Sequence, residues 1–157
     1  GKTTLKDRYL FPDEHSPQDA FMRAAKAFSD NEEMAERIYE YVSNLWCMFS
    51  TPILSNAGTK RGMPISCFLN YVGDSRGELA EHYTENAWLA SVGGGIAGYW
   101  GHVRSDGTLT SGGSQSSGVI PFMHVVDSLI LAFSQGKTRR GSYASYMDIT
   151  HPEILEF

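Results

Sequence analysis

Two cysteines are the residues whose chemistry depends most on their surroundings. Cys67 lies at the centre of Ile65–Leu69, within a run from Ile65 to Val72 that is rich in β-forming residues and predicts a strand. A cysteine there can be a small buried hydrophobe or a redox thiol that forms a disulfide with a partner. Cys47 lies on a predicted helix beside Trp46 and Met48 and is expected to pack in a core. Neither cysteine belongs to a CxxC or Cys/His zinc pattern, so no metal site is predicted.

Several polar positions could hold an anionic ligand. The segment 134–141 carries three cations among hydrogen-bonding residues, and guanidinium groups pair with phosphate or stack on bases. A solvated charged turn is the alternative. For Arg104, beside the polar loop 105–117, the same two interpretations are open: nucleotide recognition and a solvated charge. Asp74 and Ser75 precede a predicted helix and could either cap it or contact a ribose or base.

A glycine-rich stretch contains the pattern G-x-G-x-x-G at Gly93, Gly95 and Gly98. The dinucleotide fingerprint follows a strand and needs an acid about 20 residues further on. This stretch follows a predicted helix and lacks that acid, so the sequence argues against a dinucleotide fold. Closely spaced glycines still mark the close approach of a ligand or of another backbone.

The elements that would position these residues are predicted to be helices followed by strand–helix–strand–helix–strand, which favours an α/β fold. Ser16-Pro17 predicts a helix start, and Asp30 could cap a second helix that ends at Thr51-Pro52. A third helix follows Ser75. The remaining expectations are a buried face on the second helix (Met34, Ile38, Val42, Leu45), a fourth helix from Pro121 with Phe122, Val125, Leu129 and Phe133 inward, and a final helix at His151.

Composition limits the class of protein. The 157 residues have a formal net charge of -5 and are 41% hydrophobic, which suggests one domain or part of one. Mild acidity argues against a nucleic-acid binder. No run approaches the roughly 20 apolar residues of a spanning helix. With no disulfide scaffold and no signal peptide, the cytoplasm is the expected compartment.

Six motifs, taken together and in order, resemble the large subunit of class I and class II ribonucleotide reductases. They are Thr51–Gly58, Ile65–Leu69, Gly73–Ser75, Gly93–Ile96, Gln115–Pro121 and His151–Ile154. They cover about residues 45–157, while the first 45 residues resemble the helical region that precedes the family's barrel. The resemblance implies a helical region over residues 1–48. It implies the opening strands and helices of a ten-stranded α/β barrel, incomplete here, over residues 49–157.

The resemblance implies reduction of ribonucleotides to deoxyribonucleotides by radical chemistry. Cys67 matches one of two cysteines that deliver the two electrons, since a thiol pair becoming a disulfide supplies them. Cys47 does not match its partner, which would lie beyond Phe157, as would the family's radical cysteine. The 157 residues alone are therefore expected to be inactive.

Binding residues are also implied by the resemblance. Thr51, Ser66, Cys67 and Gly95 match substrate-contacting positions, and Arg139 matches a substrate-facing arginine in the loop that links effector identity to substrate choice. A second set, Asp74, Ser75, Arg76 and Arg104, matches the effector site for a deoxynucleotide or ATP. Some members have a second effector arginine where this chain has Ser111, and Lys137 is the candidate to compensate for it.

Partners and cofactors follow from the same resemblance. It implies a homodimer through the helix after Ser75, a thioredoxin- or glutaredoxin-type reductant, and a radical from a diiron small subunit (class I) or adenosylcobalamin (class II). No cofactor is expected to bind this segment itself, and no nucleic acid or membrane is an expected partner. Two alternatives stay open: a non-catalytic nucleotide-binding regulatory module, and a structural piece that a partner completes.

Overall fold

The computed structural model describes residues 2–134 and 140–157. The chain forms two compact units, Gly1–Ser66 and Cys67–Phe157. The first contains helices α1 (Lys2–Arg8), α2 (Pro17–Ala27), α3 (Glu32–Ser43) and α4 (Thr51–Asn56). The second contains β1 (Cys67–Tyr71), α5 (Arg76–Ser91), β2 (Gly95–Tyr99), α6 (Ile120–Phe133) and β3 (Ser142–Tyr146). The predicted order of helices followed by alternating strands and helices is confirmed.

The first unit is held together by α2 packed against α3. Helix α2 begins where predicted, because the Ser16 side chain accepts the Asp19 N–H at 3.4 Å and the Asp19 carboxylate accepts the Ser16 N–H at 2.9 Å. This reciprocal pair is a capping box. Small side chains at the α2–α3 contact let the two helices approach closely; the fully buried ones on α2 are Ala20, Ala24 and Ala25.

The predicted bounds of the second helix are wrong at both ends. Its cap is Asn31, whose side chain accepts the Met34 N–H at 2.9 Å, and not Asp30. Its end is Ser43, and Thr51-Pro52 begins α4 instead. Proline is disfavoured inside a helix but is favoured in its first turn. The dipeptide Thr51-Pro52 is therefore compatible both with the end of one helix and with the beginning of the next.

The early end of α3 also changes the environment of the residues that follow it. Leu45, predicted on the buried face, has a φ of 61° and a side chain that is 79% exposed. Cys47, predicted to pack in a core, is exposed. Both lie past the last helical turn, so helical spacing no longer describes which way they point.

The second unit is built on a parallel sheet of order β1-β2-β3. Parallel neighbours need crossover connections, and α5 and α6 supply them. In the described residues the sheet remains open and does not close into a barrel, which is the geometry of a partial barrel. One face packs against the two helices, and the other is exposed, with Leu69 at 87%.

The core of the second unit lies between the sheet and the helices. Its fully buried large side chains include Trp100, Val72, Val119 and Val126. Val126 and Ile130 form the buried stripe of α6, whereas Val125 and Phe133, predicted inward, are 45% and 47% exposed. Phe122 and Leu129 do pack against this core, as predicted. The apolar residues of α6 cover most of its circumference, so only packing selects the buried face.

The predicted final helix is also wrong. Residues 151–156 form a series of turns after β3, and the side chains of His151 and Glu153 bind a distant loop, as described below. None of the helices within residues 2–134 and 140–157 combines the length and apolarity that crossing a bilayer would need.

Candidate functional site

The exposed sheet face carries the predicted redox residue. Cys67 is the first residue of β1, pairs in register with Gly95 of β2, and Gly95 pairs with Ser142 of β3. Residues in register point to the same face of a sheet. The thiol is free and exposed, so the buried-hydrophobe interpretation of Cys67 is wrong. An exposed thiol therefore lies beside a glycine, which leaves the neighbouring position without a side chain.

The other predicted substrate contacts are placed differently. Thr51 is the first residue of α4 in the first unit, and its hydroxyl lies 3.4 Å from that of Tyr9. Ser66 is buried at the end of the same unit. Arg139 and Lys137 lie outside the described residues. The structure thus brings Cys67 and Gly95 together, and the substrate-binding roles of Thr51, Ser66, Cys67, Gly95 and Arg139 stay predictions.

All four predicted effector residues meet at one cavity. It has a volume of about 630 Å³ and lies between the start of α5 and the loop that follows β2. Its polar lining is Asp74, Ser75, Arg76, Arg104, Thr110, Ser111, Ser114, Gln115, Ser116 and Ser117. The lining supplies many hydroxyl groups and two guanidinium groups, which are donors suited to phosphate oxygens.

The helix α5 begins at this cavity. Ser75 caps it by accepting the Glu78 N–H at 3.2 Å, while Glu78 accepts the Ser75 N–H at 3.1 Å. The capping interpretation of Ser75 is therefore confirmed. The N-terminus of a helix of 16 residues carries partial positive charge, which favours an anion nearby.

Arg104 is fixed over the start of α5 by Asp74. The Arg104 Nε–H donates to Asp74 Oδ2 at 2.7 Å, and the Arg104 backbone N–H donates to Oδ1 at 3.0 Å. About a third of each side chain is exposed. Asp74 thus orients the guanidinium, whose Nη1 also donates to the Leu109 carbonyl oxygen at 3.4 Å.

A row of tyrosines on the exposed sheet face was not predicted. Tyr71, Tyr99 and Tyr146 are in register across the three strands, and His102 lies against the rings of Tyr71 and Tyr99. The Tyr99 hydroxyl donates to the Asp148 carboxylate, and this hydrogen bond raises the pKa of Tyr99. The strand sequences contain these tyrosines, but only the register aligns them.

A buried polar cluster ties α5 to the sheet and was also missed. Tyr143 O–H lies 2.9 Å from His82 Nε2 and accepts the Trp100 Nε1–H at 3.1 Å. Burial lowers the pKa of His82 and raises that of Tyr143. His82 lies on the same helical stripe as the buried residues Leu79 and Asn86, which was the available sequence signal. The cluster fixes the helix whose start lines the cavity.

The fold and this site define an α/β protein that combines an exposed strand cysteine with a cavity suited to an anionic ligand. Among the described residues, no group of His, Cys, Asp and Glu side chains is arranged to hold a metal ion. Residues 65–157 match the family model for the ribonucleotide reductase barrel domain, and residues 1–62 match the model for its all-alpha domain. The chain belongs to the ribonucleotide reductase large-subunit family.

Individual relatives show how much of such a subunit is present. The chain is 43% identical to the ribonucleoside-diphosphate reductase large subunit of Invertebrate iridescent virus 3, over 100% of this chain and 24% of that protein. It is 30% identical to the vitamin B12-dependent ribonucleoside-diphosphate reductase of Mycobacterium tuberculosis, over 99% of this chain and 25% of that protein. Thus the curated relatives it matches are four to six times as long, and the chain spans between 16% and 25% of their length.

A solved structure has the same fold. The Actinobacillus ureae class Id ribonucleotide reductase alpha subunit matches with a TM-score of 0.81 and 30% identity, over 99% of this chain and 29% of that one. The agreement covers the helical region and the parallel sheet, so the open sheet corresponds to part of a reductase barrel.

Proposed function

We propose that the polypeptide carrying these residues is the catalytic subunit of a ribonucleotide reductase, which makes deoxyribonucleotides by radical chemistry with a redox-active cysteine pair. The observation that supports this most is the free, exposed thiol of Cys67 opposite Gly95. Loss of the 2′-hydroxyl consumes two electrons, which a dithiol provides on becoming a disulfide. The second thiol and the radical-bearing residue are proposed to lie outside residues 1–157, because Cys47 does not match the partner cysteine that the family resemblance implies.

The ribonucleotide substrate is proposed to contact Thr51, Ser66, Cys67, Gly95 and Arg139. The hydroxyl groups can bind phosphate or ribose, and the glycine permits close approach of the substrate to the Cys67 thiol. A thioredoxin- or glutaredoxin-type protein is the proposed reductant of the resulting disulfide. The radical is proposed to come from a diiron small subunit or from adenosylcobalamin, and the enzyme is proposed to act in the cytoplasm.

The cavity at the start of α5 is proposed to bind the effector, a deoxynucleotide or ATP. The partial positive charge of the helix start, the oriented Arg104 guanidinium and the hydroxyl-rich loop all favour a polyphosphate. Ser111 lines this cavity at the place where some relatives carry a second arginine. A hydroxyl donates one hydrogen bond and no charge, so the charged donors to phosphate in this cavity are the guanidinium groups of Arg76 and Arg104.

Replacing Arg104 by alanine is expected to weaken dTTP binding about tenfold to a hundredfold. The change removes a charge-assisted hydrogen-bond donor, typically worth roughly 1.5–3 kcal/mol. Equilibrium dialysis with radiolabelled dTTP would measure it. Arg37→Ala is the matched control, because Arg37 is an exposed arginine on α3 in the other unit. An unchanged dTTP affinity in Arg104→Ala would contradict the effector assignment.

A second candidate, a regulatory nucleotide-binding module without catalysis, is favoured by one observation. The cavity lies at the carboxyl end of β1, whereas Cys67 lies at the amino end of this strand, so binding does not require the thiol. Nucleotide binding by the naturally expressed polypeptide, with no deoxynucleotide formed when a radical source and a reductant are supplied, would favour this module over the reductase.

Homodimer formation is proposed through α5. An apolar groove between α5 and α6 is lined by Tyr83, Ala87, Trp88, Leu129 and Phe133, with Thr84 and Ser91 at its edge. Trp88 is 73% exposed and Phe133 is 47% exposed. Exposed aromatic residues around an apolar groove are typical of protein interfaces. The continuity of the groove along both helices fits the same face of a second copy.

Trp88→Glu is expected to raise the dimer dissociation constant at least about thirtyfold, since a central interface aromatic typically contributes 2 kcal/mol or more. Analytical ultracentrifugation over a concentration series would show it. Trp46→Glu is the control, because Trp46 is comparably exposed at 70% but lies in the first unit. If Trp88→Glu and Trp46→Glu have the same dimer dissociation constant, the face formed by α5 and α6 is ruled out as the dimer interface.

A further inference from the structure

A buried carboxylate binds the loop that lines the effector cavity. Glu153 is 7% exposed. Its Oε2 accepts the Val119 N–H at 3.1 Å and the Asp106 N–H at 3.2 Å, and its Oε1 accepts the Val119 N–H at 3.3 Å. None of the ion pairs among the described residues involves Glu153. Backbone N–H groups of the loop are therefore the partners that compensate for its burial.

This carboxylate substitutes for a missing helix cap. Val119 is the N-cap residue of α6, and its own side chain makes no capping hydrogen bond. Glu153 reaches this helix start from a position 34 residues away. Gly118, immediately before it, has a φ of 79°, and a Cβ there would overlap the Glu153 carboxylate. Only glycine therefore lets the loop close onto the carboxylate.

The other end of the loop is held by the same turn. His151 Nε2 lies 2.9 Å from the Val103 carbonyl oxygen, and His151 Nδ1 accepts the Glu153 N–H at 3.2 Å. A carbonyl only accepts, so Nε2 carries the hydrogen. Val103 immediately precedes Arg104, and Asp106 lies two residues after Arg104. Residues 151–153 thus bind the loop at its beginning and at its end.

The cavity-lining part of the loop lies between these two attachment points. Residues 110–112 and 114–117 line the cavity, whereas Glu153 and His151 do not. A ligand in the cavity would therefore meet the loop and Arg104 but neither of the two side chains that hold them.

We propose that His151 and Glu153 form a loop clamp, a pair of positioning residues that sets the affinity of the cavity for its nucleotide effector. The inference rests on the proposed effector function. A clamped loop presents its hydroxyl groups already ordered, whereas a released loop must lose conformational entropy on binding. The clamp acts only through the loop and makes no contact with the nucleotide.

The test compares three variants of the naturally expressed polypeptide. Glu153→Gln keeps the shape but replaces one acceptor oxygen by an amide donor that faces the Val119 N–H. Gly118→Ala inserts a methyl group into the carboxylate. Gly107→Ala is the matched control, because Gly107 lies in the same loop with a similar φ of 74° but has no atom within 4 Å of an added Cβ. Binding of dTTP and dATP is measured by equilibrium dialysis, and loop order by hydrogen exchange of residues 105–119.

If the proposal is correct, Glu153→Gln and Gly118→Ala each weaken nucleotide binding about tenfold, which is the effect of losing one charge-assisted hydrogen bond. Their loop amides should exchange faster, while the amides of β1, β2 and α5 keep wild-type rates. Gly107→Ala should bind as the wild type does. A merely structural residue would instead change exchange throughout the unit and leave the affinity of the folded fraction unaltered.

Two results would overturn the proposal, and they are distinguishable. Wild-type affinity in Glu153→Gln would reject the clamp and leave the effector site standing. Failure of the wild type itself to bind either nucleotide would reject the effector site and, with it, the clamp's role. If Glu153→Gln does not fold, the comparison of Gly118→Ala with Gly107→Ala decides, since equal affinities in those two variants would also reject the clamp.

Discussion

Cys67→Ser in the naturally expressed polypeptide is expected to lower deoxynucleotide formation at least about ten-thousandfold, the scale seen when an essential catalytic side chain is removed. A serine hydroxyl has the same shape as the thiol but cannot form a disulfide, so the two electrons for 2′-reduction are no longer available. The structure places this thiol free and exposed on the sheet. Multiple-turnover assays with a dithiol reductant would measure the loss.

The other cysteine provides the control for this experiment. Cys47 is also free and exposed but follows α3 in the helical unit. Cys47→Ser should retain wild-type turnover, which separates a specific role of Cys67 from a general effect of removing a thiol. Turnover of Cys67→Ser within about tenfold of wild type would contradict the redox assignment, and activity lost equally in both variants would point to a different thiol chemistry.

Gly98→Ala is expected to lower the free energy of unfolding of the second unit by about 3 kcal/mol or more, at the upper end of overpacking effects. An added Cβ would overlap the Tyr143 hydroxyl oxygen and lie 2.7 Å from the ring carbon that bears it. The hydroxyl cannot move aside easily, because His82 and Trp100 both hold it. Urea unfolding followed by tryptophan fluorescence would report the loss.

A matched glycine separates the overlap from the effect of alanine itself. Gly77 lies in the first turn of α5, and an added Cβ there would meet nothing closer than 3.9 Å. Gly77→Ala should be neutral or stabilising by roughly 0.5–1 kcal/mol, because alanine is the better helix former. Gly98→Ala combined with Tyr143→Phe should recover part of the loss. Equal stability of the Gly98→Ala and wild-type proteins would show that the cluster is not rigid.

Features that depend on near neighbours in the chain were predictable. The start of α2 follows from Ser16 and Asp19, three residues apart, whose hydrogen bonds form within one helical turn. The start of α5 at Ser75 is of the same kind. The alternation of strands and helices gave the fold class, and six short motifs in order indicated the family.

Local signals failed where two structures satisfy them equally. Asp30 and Asn31 are adjacent residues that both cap helices well, and only the register of the α3 core selected Asn31. Thr51-Pro52 suits a helix end and a helix start. His151-Pro152 resembles a helix start, but the His151 side chain bonds to Val103, 48 residues earlier, and the chain turns instead.

The sequence by itself determined the element order, the family resemblance and the identity of the candidate residues Cys67, Asp74 and Arg104. Only the tertiary structure decided which of them meet. The Asp74–Arg104 ion pair spans 30 residues, and the Glu153–Val119 contact spans 34. The physical reason is one of range: caps and turns form within about four residues, whereas the register of the strands and the packing of α5 and α6 arise from the whole core at once.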